Sequence, residues 1–116
     1  MSTRAQVIIK DNNQELWFYR HSDGYPKGTL PTLEKFLNWV KEGKIRKNVE
    51  QAAGWLILIG AKEYNVKDAP VSDQQMYDNC GSYEPCACKA RHGDVHFLYT
   101  IDLIQETLTC EEIWNT

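Results

Sequence analysis

The stretch Asp23-Gly24-Tyr25-Pro26 divides this chain into two kinds of structure, and so constrains its fold more than any other feature. Asp-Gly favours a tight turn and proline fixes its own φ, so regular structure must break here and restart in a new direction. Before the break, Arg4 to Lys10 is β-branched in its second half and Glu15 to Arg20 is rich in aromatics, with turn residues Asp11 to Gln14 between them. Two such runs predict an antiparallel hairpin, with Leu16 and Phe18 on one face and Trp17 and Tyr19 on the other.

After the break the period changes. Leu33, Phe36, Leu37 and Val40 recur at the spacing of one helix face. Thr29 or Thr32 can cap that helix with Pro31 in its first turn, and Gly43 suits the left-handed residue that ends it. A second stripe runs through Val49, Ala52, Ala53, Leu56, Ile57, Gly60, Ala61 and Tyr64, opened by Asn48 with Gln51 three residues on. Trp55 to Ile59 would also suit a strand, but the longer stripe favours helix. Leu58 and Ile59 predict burial nearly all round, and Ala52, Ala53, Gly54, Gly60 and Ala61 would let the helix lie close to its neighbours.

From about 65–94 the pattern is lost, which reads as a long irregular loop. Val95, Phe97, Tyr99, Ile101 and Leu103 then alternate onto one face of a strand, Gln105-Glu106 turns the chain, and Thr107 to Cys110 pairs back. The expectation is a single α+β domain over 1–116: a four-stranded antiparallel sheet of two hairpins, with two main helices packed on one face.

Length and charge bound the function. A chain of 116 residues can bury a core without disulfides or metal. With 13 Lys+Arg against 16 Asp+Glu, the net charge of −3 argues against nucleic acid or an anionic membrane as a general partner. Lys41, Lys44, Arg46 and Lys47 cluster at one helix junction, but such a run reads as a solvated corner. The polar start predicts no signal or transit peptide, and the apolar run Trp55 to Ala61 is too short to span a bilayer. A cytoplasmic protein with no membrane partner is expected, and there the four cysteines would be thiols or metal ligands.

Met1 to Arg4, the aromatic strand ending in His21-Ser22-Asp23-Gly24-Tyr25-Pro26, the helix Leu33 to Val40 and the strand led by Gly93-Asp94 together resemble a family of small proteins of phages, prophages and bacteria. The resemblance spans most of the chain, and Asp-Gly-Tyr-Pro is its most specific mark. It implies a mobile-element context, and it carries over no activity, catalytic residue or ligand. The cysteine cluster lies outside the shared pattern.

Chemistry concentrates in residues 20–26. His21 offers an imidazole that can act as acid or base, Asp23 could orient it or hold a cation, and Tyr25 offers a phenol. Arg20 and Arg4, at nearby strand ends, could hold an anion. His21 and Asp23 are the catalytic candidates, and Arg20, His21, Asp23, Tyr25 and Arg4 are the candidates for binding a ligand or partner. A plain structural turn accounts for Asp23, Gly24 and Pro26 equally well. Ser22 has no base but its neighbour His21, so a serine hydrolase is not expected.

Cys80, Cys86, Cys88 and His92 form a second cluster, C-x5-C-x-C-x3-H. Thiolates and imidazole ligate zinc, but one residue between two cysteines does not suit a zinc finger or ribbon, so no cofactor is expected and zinc is kept as an alternative. Free thiols are the expected state, and a disulfide from Cys80 to Cys86 or Cys88 formed in air is a further reading. Cys110 reads as a small core residue, and Asp94 with His96 as a same-face pair that could join His92.

No complete catalytic set is present. The function expected is therefore that of a small accessory protein binding a host or defence protein, or a small ligand, through the 20–26 loop. A small enzyme acting on a phosphorylated or nucleotide-like substrate through His21 and Asp23 is the second reading. A homo-oligomer joined through its sheet edge or through the aromatics Trp17, Tyr19, Trp39 and Trp114 is the third.

Overall fold

The computed structural model describes residues 3–63 and 82–113. Its elements are β1 (Arg4–Lys10), β2 (Glu15–Arg20), α1 (Pro26–Lys41), α2 (Val49–Glu63), β3 (Glu84–Pro85), β4 (Val95–Asp102) and β5 (Thr107–Glu112). The α+β class is as expected, but the sheet is neither four-stranded nor wholly antiparallel. It has five strands in the order β3-β2-β1-β4-β5. Both expected hairpins form, and they meet through β1 and β4, which run parallel.

The parallel seam has a visible cause. Every residue from Ala5 to Ile9 is buried, because β1 lies in the middle of the sheet with both faces covered. An unbroken apolar run such as Val7-Ile8-Ile9 suits a strand in that position. The fifth strand, Glu84–Pro85, comes from the segment expected to be irregular and pairs with Phe18 and Tyr19. Proline is tolerated there because this is an edge strand.

Both helices cover one face. Leu33, Phe36, Leu37 and Val40 of α1 and Val49, Ala52, Ala53, Leu56 and Ile59 of α2 pack with Ala5, Val7, Ile9, Phe18, Tyr99, Ile101 and Leu103. Each such side chain removed from water contributes about 1.5–3 kcal/mol when large. The prediction that α2 is buried nearly all round is corrected: Trp55, Ile57 and Leu58 are exposed. Its small residues divide likewise, with Gly60 tight against Tyr83 and Gly54 open. Tyr64 lies outside the described residues.

The helix boundaries show how the turn works. α1 begins at Pro26, earlier than expected, and Pro31 lies inside it. The amides of Gly28 and Thr29 donate to the Tyr25 carbonyl, both at 3.0 Å, and close the first turn before Thr29 could act as a cap. Gly43 ends the helix at φ +77, as anticipated. Asn48 caps α2, its Oδ1 accepting from the amides of Glu50 and Gln51. A second cap arrives from the β1–β2 turn: Asp11 Oδ2 accepts from the Val49 amide at 3.1 Å, while its Oδ1 accepts from Asn13 and Gln14. These donors, Asn13 first, hold the Asp11 carboxyl below its ordinary range.

Two strand expectations change. The register slips between Arg4 and Ala5, which pair with Val95 and Phe97, leaving His96 as the extra residue of a bulge. Val95 therefore turns to the opposite face and packs with Tyr19 and Ile113. Cys110 is exposed, not core, because β5 is the outer strand. Among the described residues no helix is long and apolar enough to cross a membrane.

Candidate functional site

The chain between β3 and β4 wraps an edge of the sheet and builds a cleft on the side opposite the helices. Ser82 and Tyr83 are buried on the helix side, where Ser82 Oγ donates to the Gly60 carbonyl at 3.0 Å. Glu84–Pro85 then adds to the sheet edge, and the Cys86 amide donates to the Trp17 carbonyl at 2.9 Å. The following residues cross the far face and are pinned by Gln6, which is fully buried in the middle of β1. Gln6 Nε2 donates to the Ala90 carbonyl at 3.1 Å, and Gln6 Oε1 accepts from the His92 amide at 3.0 Å. One side chain thus satisfies two backbone groups that would otherwise be stranded over an apolar sheet.

The resulting cleft has a volume of about 670 Å³. Pro85, Cys86, Ala87 and Ala90 give it apolar walls, while His21, Glu84, Arg91 and His92 bring polar groups to it. His21 Nε2 lies 2.5 Å from Glu84 Oε2. The Tyr19 ring stands between the two histidines, with centroids 4.5 Å from His21 and 4.7 Å from His92. Its hydroxyl donates to Asp94 Oδ2 at 2.6 Å, and Arg4 Nε is 3.4 Å from the same oxygen. Burial first, and then the adjoining Asp94 carboxylate, push the Tyr19 phenol far above its ordinary range, so it stays a neutral donor.

The residues singled out in the sequence separate into three groups. His21 and His92 line the cleft, and Arg4 reaches it through Asp94 and Tyr19. Arg20 is 3% exposed, on the helix side of β2 and away from the cleft. Its guanidinium pairs with Glu63 at 2.9 Å, donates to the Gly28 and Asp23 carbonyls, and lies 5.1 Å from the centre of the Tyr83 ring. Asp23 adopts φ +55, and its carbonyl, bonded by Arg20 and Thr29, anchors the turn. The carboxylate beside His21 is therefore that of Glu84, not Asp23. Tyr25 stays exposed, with its hydroxyl 3.4 Å from Asp23 Oδ1.

Among the described residues no three His, Cys, Asp or Glu side chains converge to hold a metal. Cys86 and Cys88 are free thiols, and Cys80 lies outside the described residues. Burial pushes the Cys86 thiol up despite the hydrogen bond from Gln6, which keeps it protonated and a poor nucleophile. The same-face pair of Asp94 and His96 is undone by the bulge, and Asp94 alone joins the site. Glu84, Arg91 and Gln6 were not anticipated. The one sequence cue was Gln6 within an otherwise apolar central strand, where a buried amide must find partners.

Comparison of the chain with protein-family models, with curated proteins and with solved structures finds no significant match. Its function is therefore argued from the cleft itself.

Proposed function

We propose that this protein is a small binding module whose cleft, between the end of β2 and residues 84–92, takes an amphiphilic anion: an apolar body carrying a carboxylate or phosphate. The observation that carries this reading is the meeting of His21, Glu84, Arg91 and His92 around apolar walls. Arg91 is exposed, lines the cleft and makes no ion pair with any described residue, and its planar donor fork suits an anionic head. The apolar walls supply area to bury, and the His21–Glu84 pair supplies a donor and an acceptor for orientation. An accessory role in a phage or bacterial host, as the Met1 to Arg4 and Tyr19 to Pro26 elements imply, is part of the same proposal.

The test is calorimetric titration with phenyl phosphate and phenylacetate. Binding should weaken roughly tenfold or more in Arg91→Ala and in His21→Ala, with unfolding midpoints unchanged. Equal affinity in folded variants would sink the assignment.

The His21–Glu84 contact also favours a second reading, a small enzyme on a phosphorylated substrate in which Glu84 orients His21 as general base. There His21→Ala would abolish turnover while substrate still bound through Arg91. For the homo-oligomer reading, Tyr19 is buried and Trp17 and Trp39 are half-buried, while the outer strand β5 is largely exposed; Trp114 lies outside the described residues.

A further inference from the structure

The outer groove between α1 and α2 is a second surface, on the opposite side of the sheet from the His21 cleft. Thr32, Lys35 and Trp39 follow one another along α1, and Trp55, Ile59 and Lys62 along α2, each set at the spacing of a single helix face. The two sets line adjoining hollows of about 210 and 320 Å³ that share Trp39. The indoles of Trp39 and Trp55 meet edge to face with centroids 6.2 Å apart. Of the four exposed large hydrophobic residues among those described, three lie on α2: Trp55, Ile57 and Leu58. Apolar surface is thus concentrated where the helix turns away from the sheet.

The charge of the rim is reversed from that of the chain. Glu63 lines the groove, but its carboxylate is drawn inward by Arg20, Thr32 and Ser82. Lys44, at the Trp end, is paired with Glu42 at 3.4 Å. Lys35 and Lys62 have no carboxylate partner among the described residues, and the Lys35 ammonium stands 5.3 Å from the centre of the Trp39 ring. A chain of net charge −3 here presents an aromatic floor with a cationic rim.

We infer that this groove docks an acidic amphipathic helix of a partner protein. Its apolar side chains would sit on Trp39 and Trp55, and its carboxylates would pair with Lys35 and Lys62. A trough between two packed helices is the shape that accepts a third, by the same ridge-and-groove fit. Two such lysines suffice to fix the register of a short acidic helix, whereas a nucleic acid needs many more cations along its phosphates. This inference does not depend on the reading of the His21 cleft.

The experiment is a titration with a peptide of about four helical turns, with leucines on one face and glutamates flanking them, followed through the indole N–H resonances of the intact protein. The same peptide with lysine in place of glutamate, and a single-stranded thymidine oligonucleotide, are run beside it. The acidic peptide should shift the Trp39 and Trp55 signals, lose affinity on added salt, and bind roughly tenfold or more weakly to the double variant Lys35→Glu with Lys62→Glu. Both lysines are exposed, and circular dichroism checks that the variant folds. No indole shift, equal binding of the lysine peptide, or unchanged affinity in the variant overturns the inference. Tighter binding of the oligonucleotide, or a concentration-dependent dimer that buries both indoles, overturns it in favour of a nucleic acid or a second copy.

Discussion

The imidazole of His21 and the carboxylate of Glu84, 63 positions apart in sequence, meet at 2.5 Å and fasten the end of β2 to the short strand β3. The two side chains are 41% and 46% exposed, so the pair adds less than about 1 kcal/mol to global stability. Its role is to place groups at the cleft. Glu84→Ala should leave the denaturant midpoint nearly unchanged while speeding hydrogen exchange at the Cys86 amide, which bonds to Trp17. A large loss of stability without faster local exchange would make the pair a structural element instead.

Gln6 holds the cleft's second wall. Gln6→Ala removes the partners of the Ala90 carbonyl and the His92 amide, and should cost about 1–3 kcal/mol. The loss should appear as faster hydrogen exchange over residues 86–92, with the helix-side core still protected. Uniform loosening of the molecule would show that the segment and the core unfold together.

Arg20 is expected to matter for folding and not for binding. Its guanidinium is buried, whereas Glu63 is partly exposed and keeps Thr32 and Ser82, so the loss falls on the Gly28 and Asp23 carbonyls that Arg20 serves. Arg20→Ala should therefore destabilise by about 1–3 kcal/mol, read from chemical unfolding. A well-folded, near-wild-type Arg20→Ala that has lost ligand affinity would place Arg20 in the site after all.

Gly24 is required by close approach. A Cβ there would stand 2.8 Å from the Ala5 Cβ and 2.9 Å from the Arg4 carbonyl carbon, while the Gly24 carbonyl accepts from the Tyr99 hydroxyl at 2.6 Å. Gly24→Ala should cost about 1–3 kcal/mol through overpacking. An unfolding midpoint equal to wild type would show that the turn can shift away from β1 freely.

Asp11 links stability to pH. Its folded carboxyl is held below the ordinary value of 3.8, chiefly by the Asn13 and Val49 amides. The contribution is thus fully present above that value and is lost as pH falls through the folded pKa. Asp11→Ala should lower the melting temperature at neutral pH, and the gap to wild type should close in acid. A gap that persists unchanged in strong acid would mean that the carboxylate charge is not what caps α2.

Local pattern made part of this fold legible and left its assembly hidden. The α1 stripe, the Gly43 stop and both hairpins follow from residues near one another in sequence. The parallel seam, the His96 bulge and β3 follow from pairings across the chain, which period alone does not encode. The site shows the same division. His21 and His92 could be picked out singly, but their grouping depends on residues 84–92 wrapping the sheet edge and on Gln6 beneath them. Asp23 lies two positions from His21 in sequence, but its carbonyl anchors the turn and the carboxylate that meets His21 comes from Glu84, 63 positions on.

The most direct test of the ligand cleft is a two-dimensional amide NMR titration of the intact protein with phenyl phosphate, repeated on the Arg91→Ala variant. Shifts confined to residues 19–21 and 84–92, and lost in Arg91→Ala, are the predicted result. Shifts scattered over the surface, or shifts that persist undiminished in the variant, would contradict the assignment.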